Sequence, residues 1–495
     1  MTGQEQSTTV GALPEPTTEE SSVPKTLTRL VWLLWAASLG TLALRGLGGD
    51  PWTVDGVVAI DGLTAVMWVA VTFFSGVVHS YSRRYMAGSR TMDRFFGRVF
   101  AFTLAVMVLV AADHLVLFAA AWLAMGVVMA ELIGHVDGWP QAQASASLAR
   151  RYFLLSSALL SVGLATLWWA TGATTVSGVA AAIGTVSPTV ALVAAGALLL
   201  AAMVQSALVP FHTWLLSSMT APTPASALMH AGFVNAGGIL LTRFAPVVTV
   251  EPEFLLLILV VGAGSALTGK LLKTVQTDVK RKLGCSTVGQ MGFMIMQVGL
   301  GFFGAAVTHL ILHGCYKAYQ FLSTGSSVEQ RGPTDEGARR STGVVEVAVT
   351  AVTALAGGAV FALLTGKGTA LDGGLLLAGL VTLTTLHAAR ETVSRTALPS
   401  TVRYGAVPLI FLPAITAYAM VYRLISALLA GLPAVGTHAA LTPVHGLVAA
   451  AFVLAYVAIE TGVYRHSQRL YVALLNATQP PSETLLTATE DYNEY

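Results

Sequence analysis

Apolar runs of about 20 residues recur along almost the whole chain, and each is long enough to cross a bilayer as a helix. A chain built this way must satisfy its backbone hydrogen bonds inside each spanning segment, which leaves little choice of fold. Composition agrees. Of 495 residues 55% are hydrophobic and 11% charged, against roughly 25% charged in a soluble domain. The mean hydropathy is +0.70. The expected fold is an all-α polytopic membrane protein. The 27 Lys+Arg against 25 Asp+Glu give no basic bias that would suit nucleic acid. Cys285 and Cys315 lie in or beside apolar helices and suit reduced, packed roles.

Fourteen spanning segments are expected, at about 27–47, 58–79, 95–112, 114–135, 151–171, 188–209, 223–245, 254–272, 283–302, 304–325, 344–366, 373–394, 405–430 and 443–464. The count is good to one pair, so 13–14 helices. Loop charge tests it. Arg83, Arg84, Arg90, Arg94 and Arg98, then Arg150 and Arg151, follow even-numbered segments. So do Lys280, Arg281 and Lys282, then Arg331, Arg339 and Arg340, then Arg395 and Arg403. Loops after odd-numbered segments are nearly free of base and carry Asp50, Asp55, Glu251 and Glu253. The positive-inside rule then places the basic loops and both termini on the cytoplasmic side, and the expected location is the plasma membrane of a prokaryotic cell. Residues 1–26 form a polar, acidic head expected to be disordered, with no cleavable signal. Residues 27–465 form the helix bundle and 466–495 a polar tail. No segment is large enough for a soluble catalytic domain. An inverted repeat fits such a bundle but leaves no clear internal identity.

The densest chemistry lies at residues 309–330. His309, His313 and Lys317 stand at steps of four inside an apolar run, on one stripe of a helix. Ionisable groups inside a membrane are costly and mark an ion path by default. Two imidazoles and an amine on one stripe can pass protons between them. Lys317 lies more than a turn from either end of its segment, too deep for easy snorkelling, and desolvation makes its charge switchable. A structural salt bridge is the alternative.

The seventh segment opens on Pro222 and Pro224 and contains Gly232, Gly237 and Gly238, the pattern of a broken helix that lines an ion cavity. His230 is the polar group such a cavity would present. The segment reads equally well as a proline-started helix with one hydrogen-bonded core histidine. Glu131 is either a membrane carboxylate or a side chain reaching headgroups. Lys270 lies deeper than Lys273 and either snorkels or belongs to an ion path. Asp113 and His114 open the fourth segment as interfacial caps. Gly264 to Leu271 nearly match a phosphate-binding loop, but lack the closing Ser or Thr and a preceding strand, and are rejected. No zinc-ligand spacing is present.

Several of these stretches together resemble one family. Val209-Pro-Phe-His-Thr-Trp-Leu, Ala221-Pro-Thr-Pro-Ala-Ser-Ala-Leu-Met-His, Gln276-Thr-Asp-Val-Lys-Arg-Lys-Leu-Gly-Cys-Ser-Thr and the His309–Lys317 stripe are similar to the antiporter-like proton channel subunits. These include subunits L, M and N of respiratory complex I and the Mrp-type antiporters. The resemblance runs from about Asp61 to Ser327. It departs in the first half, where the family's Trp-Glu pair is Trp122-Leu123 and the family's lysine is Gln205. His230, His309, His313 and Lys317 match. The wording Gly284-Cys-Ser-Thr-Val-Gly-Gln-Met-Gly-Phe-Met is most similar to the membrane subunit of the DAB-type inorganic carbon transporters.

That resemblance implies an antiporter-like fold and a role in letting protons or sodium ions run down their gradient to drive carbon accumulation. It also implies a partner, a large cytoplasmic-side zinc protein resembling β-carbonic anhydrase, with the zinc held there and no cofactor in this chain. On the same basis Lys317 is the switching amine, with His309, His313 and His230 as relays. Glu131 is a candidate replacement for the missing carboxylate, and a respiratory or Mrp-type role is the rival.

Overall fold

The computed structural model describes residues 21–48, 51–324, 343–395, 400–436 and 440–479, with 481 and 484. Fourteen long helical segments run through it. They are α1 Val23–Gly46, α2 Gly62–Tyr85, α3 Met92–Ala111, α4 Leu115–Ile133 and α5 Pro140–Thr171. Next come α6 Pro188–Gln205, the broken segment α7a Thr223–Ala231 and α7b Ala236–Arg243, α8 Pro252–Thr274, α9 Val279–Gly299 and α10 Phe303–Leu322. The last four are α11 Val344–Thr365, α12 Gly373–Arg395, α13 Ser400–Leu429 and α14 Pro443–Thr461. Among the described residues, eleven of these segments are long and apolar enough to cross a membrane by length and composition alone. The other three are α9, α10 and α12, and each carries several ionisable residues.

Local chemistry sets the helix ends. Proline occupies the first turn of α5, α6, α8 and α14, where no backbone donor is missed. Asp61 caps α2 by accepting from Thr64 N at 2.9 Å, and Asp278 caps α9 by accepting from Arg281 N at 2.7 Å. Gly172 and Gly366 end α5 and α11 with φ of 70° and 69°, a backbone that strains other residues.

The closest helix pair is α8 with α9. Gly262 and Gly269 of α8 and Gly289, Gly292 and Gly299 of α9 lie along one seam, and a methyl group on Gly262, Gly269, Gly292 or Gly299 would overlap the facing backbone. Without a hydrophobic drive between helices in lipid, such close backbone approach supplies the packing. One apolar core fills the first ten helices, and a second joins α8 and α10 to α11–α14.

Several details differ from the sequence reading. Helix α1 starts at Val23, inside the expected head, because Pro24 suits a first turn. The rest of that head, residues 1–20, lies outside the described residues, as does the 325–342 part of the basic loop after α10. Helix α5 starts 11 residues before the expected boundary at 151, since Pro140 opens an alanine-rich helix that carries Arg150 and Arg151. A short antiparallel hairpin, Trp52–Val54 with Val58–Ile60, links α1 to α2. The polar tail contains a ten-residue amphipathic helix, α15 Gln468–Ala477, which packs Leu474 against Leu272 and Val275 of the α8 end. Both cysteines are free, Cys285 buried and Cys315 exposed.

Candidate functional site

The break in the seventh segment falls at Gly232, where the backbone leaves the α-helical region (φ −121°, ψ −66°) and Phe233–Asn235 form one tighter turn. The prolines and the later glycines have other roles. Pro222 and Pro224 start α7a. Gly237 lets α7b approach Ser206 and Ala202, and Gly238 makes room for Met294. The break therefore lies just after His230. Gly314 on α10 sits against it, and a methyl there would lie 2.8 Å from the carbonyl of Ala231. That close approach brings the stripe of α10 beside the break.

His309, His313 and Lys317 line up as their spacing predicts. The two imidazole rings stack at 5.6 Å with planes 14° apart. Both ring nitrogens of His313 and Nε2 of His309 are buried without a hydrogen-bond partner. Lys317 is 0% exposed, and its Nζ donates to the carbonyl of Leu283 at 3.1 Å. Among the described residues it forms no salt bridge. An ammonium carries three donors, and one carbonyl occupies only one of them.

Leu283 connects this amine to the broken helix. Its carbonyl also accepts from Thr287 Oγ1 at 3.0 Å, and Thr287 Oγ1 lies 3.0 Å from His230 Nδ1. Since the hydroxyl proton goes to Leu283, His230 Nδ1 must donate to Thr287, which leaves Nε2 as an open acceptor. That Nε2 is buried and unpartnered, and the ring stacks on Phe321 at 4.3 Å. Lys317, Leu283, Thr287 and His230 thus form one polar line across α10, α9 and α7a. Sequence reading carried Thr287 only as the last residue of the Gln276–Thr287 stretch and gave it no role, because nothing in the stretch says which helix it faces.

Glu131 lies elsewhere. Its carboxylate accepts from Arg98 Nη2 at 2.5 Å and Arg150 Nη2 at 2.8 Å, at the basic-loop end of α4. Two guanidiniums hold it, not the histidines, so it ties α3, α4 and α5 together. His135, beside it, lies 3.4 Å from Arg98 Nη1 and 2.9 Å from Thr91 Oγ1. Burial, then the charges of Arg98 and Arg94, push this imidazole down to about 4.

The positions that depart from the family are also placed. Leu123 is 39% exposed on the outside of α4, while Trp122 points inward and donates to Ser156. Gln205 is 1% exposed at the end of α6, and neither amide atom has a partner. A small apolar cavity beside the break is lined by Met67, Val71, Phe102, Met125, Leu228 and Gly232, among others. At the end opposite the basic loops, Asp61 binds Arg243 in an ion pair that also engages Thr64 and the carbonyl of Val110. Burial alone would raise the Asp61 carboxyl, but the Arg243 charge and the hydrogen bonds hold it below the ordinary carboxylate range.

Lys270 sits in a different cluster from Lys317. Its Nζ lies 2.9 Å from His387 Nε2, and His387 Nδ1 lies 2.9 Å from Glu460 Oε1. His387 and Glu460 were not singled out in the sequence, since each is a lone polar residue near the end of an apolar segment. Among the described residues no group of three or more His, Cys, Asp or Glu side chains could hold a metal ion.

Comparison with known proteins places this arrangement. Residues 112–357 match the family described as NADH:quinone oxidoreductase/Mrp antiporter, TM. Residues 50–96 match the N-terminus of chain 5 of complex I. The chain is 40% identical over 286 residues to the probable inorganic carbon transporter subunit DabB1 of Halothiobacillus neapolitanus, covering 56% of this chain and 51% of that one. It is 39% identical over 303 residues to the probable inorganic carbon transporter subunit DabB of Bacillus subtilis, covering 59% and 57%. The match thus spans about half the length of these curated relatives. In fold it resembles the Mrp complex of Dietzia sp. DQ12-45-1b, with a TM-score of 0.56 and 23% identity, over 92% of this chain and 50% of that one.

Proposed function

Because the chain belongs to the antiporter-like family of membrane subunits, we propose that it is the cation-conducting subunit of an inorganic carbon accumulation complex. Protons or sodium ions running down their gradient through it would energise uptake of CO2 as bicarbonate. The hydration chemistry would lie in a large zinc protein resembling β-carbonic anhydrase, docked on the basic-loop face. That face is the cytoplasmic one by the positive-inside rule, with both termini on it.

One observation carries the conducting role. A fully buried lysine with no carboxylate partner among the described residues stands on the same stripe as two stacked histidines, with both ring nitrogens of His313 and Nε2 of His309 open. Left dry, such atoms are costly, so they suit a hydrated path in which the proton itself supplies the missing partner. His313, open at both nitrogens, can take a proton on one side and release it on the other. Lys317 holds charge in its ammonium form against Leu283 and releases it as the amine. Thr287 carries the connection to His230 at the break. The carbon-accumulation context rests on the likeness to the two inorganic carbon transporter subunits.

A respiratory or Mrp-type role is the second reading, favoured by the description of the matching family. It uses the same membrane residues with different partners. Purification of the tagged chain from its native host, with mass spectrometry and metal analysis, separates the two. A stoichiometric large zinc subunit is expected, whereas iron–sulfur or further antiporter-like subunits would sink the carbon reading. Cation flux in liposomes then tests conduction. Lys317→Ala should reduce it on the order of 100-fold with the complex still assembled, and unchanged flux would leave only a scaffold.

A further inference from the structure

Lys270, His387 and Glu460 come from α8, α12 and α14, three helices that meet near the basic-loop face. Their hydrogen bonds define the proton positions. Glu460, as a carboxylate, only accepts, so His387 Nδ1 carries a hydrogen toward Oε1 at 2.9 Å. His387 Nε2 then faces Lys270 Nζ at 2.9 Å with one proton between them. Either Lys270 is an ammonium donating to a neutral ring, or the ring is an imidazolium donating to an amine. Moving that proton breaks one N–H bond and forms another with no change in the charge of the pair. Glu460 stabilises the imidazolium form and holds the ring in place in both.

The surroundings balance the cluster without replacing its partners. Arg390 Nη1 lies 3.8 Å from Glu460 Oε2 and donates to Tyr456 at 3.2 Å. Glu391 Oε2 is 4.0 Å from His387 Nε2. Lys273 stands one turn from Lys270 on α8, and Glu346 of α11 lies within electrostatic reach of Arg390. Acids and bases therefore surround the pair from α8, α11, α12 and α14. The imidazole is about a quarter exposed, with a side-chain exposure of 23%, so it communicates with water.

We propose that Lys270, His387 and Glu460 form a second proton-binding station, separate from the Lys317 stripe. It would load and release protons at the basic-loop end of the later helices. The proposal rests on the conducting role argued above. It requires that a proton from water add to the neutral Lys270–His387 pair at the imidazole, shift from His387 Nε2 to Lys270 Nζ, and leave from Nζ to water, which returns the pair to its neutral form.

The test uses the full chain, purified with whatever partner accompanies it and reconstituted in lipid. Solid-state NMR of 15N-histidine, with the His387 signal assigned by its loss in His387→Gln, reads the ring directly. The expected result is an Nδ1–H tautomer whose Nε2 shift moves in Lys270→Met, and whose tautomer preference weakens in Glu460→Gln. Ring shifts identical in Lys270→Met and wild type would overturn the proposal. In flux measurements His387→Gln should lose on the order of 100-fold, the scale of removing one proton-transfer group. Wild-type flux in His387→Gln, with flux lost in Lys317→Ala, would overturn the station and leave the stripe intact. Wild-type flux in Lys317→Ala would instead overturn the conducting role, and the ring shifts would still decide whether Lys270 and His387 share a proton.

Discussion

Gln205 and Lys317 are each buried in a long helix against one limb of the broken seventh segment, and they differ in what their buried atoms can do. Gln205 ends α6 near α7b with both amide atoms unpartnered. Lys317 on α10 has a single carbonyl partner and two neighbouring histidines on its stripe. An amide neither gains nor loses a proton near neutral pH, while a buried amine can do both. The rest of the first half follows Gln205. Leu123 faces outward, and the cavity by the break is apolar. Its charges, Glu131 with Arg98 and Arg150 and Asp61 with Arg243, are spent on pairing helices. The first half thus holds its buried charges in ion pairs, while the buried amine of Lys317 forms no salt bridge among the described residues.

The largest expected effect breaks or upholds this division directly. Lys317→Ala should reduce cation flux on the order of 100-fold, the scale of losing a proton-transfer group, while Gln205→Ala should stay within about twofold. Equal losses at the two positions would mean that the first half conducts as well. Next, Asp61→Asn should destabilise the chain by about 3–5 kcal/mol, because it leaves the buried Arg243 guanidinium unmatched. Thermal unfolding in detergent reads this, and an unshifted midpoint would show that the pair is not structural. Thr287→Val should cost about tenfold in flux by cutting the line from Leu283 to His230, with a stability change of only about 1 kcal/mol. Flux equal to wild type would show that His230 acts apart from Lys317.

The smallest effect concerns pH. His135 is pushed down to about 4 in the folded chain against an ordinary 6.5, so the unfolded chain binds more protons between those values. Its contribution to stability is full above pH 6.5 and is lost as pH falls toward 4. His135→Gln should flatten thermal stability across that window and leave flux unchanged. A matching change in flux would place this first-half histidine on the ion path.

Much of the bundle was legible because its physics is one-dimensional. Apolar length, loop charge and proline position act within a segment, and fourteen long helical segments stand where fourteen were expected. The stripe of α10 was legible for the same reason, since steps of four on one helix decide which side chains share a face. Boundaries slipped where polar residues continue a helix, as in the first 11 residues of α5. The broken segment was expected from its prolines and glycines, but the break sits at Gly232, and Gly237 and Gly238 serve packing.

Partnership across helices needed the tertiary structure. Glu131 as a membrane carboxylate and Glu131 as an ion-pair partner have the same sequence, and only the approach of Arg98 and Arg150 separates them. Lys270 gained His387 and Glu460 across separations of 117 and 190 residues along the chain, which no local spacing encodes. Thr287 acquired its place from helix packing, which sets its hydroxyl 3.0 Å from His230 of α7a. The sequence by itself determined that this chain spans a membrane and carries an ionisable stripe within it, because burial in lipid and helical periodicity act residue by residue. Which charges are paired and which are left open was decided by helix packing alone, because an ion pair or hydrogen bond exists only when two distant segments come within about 3 Å.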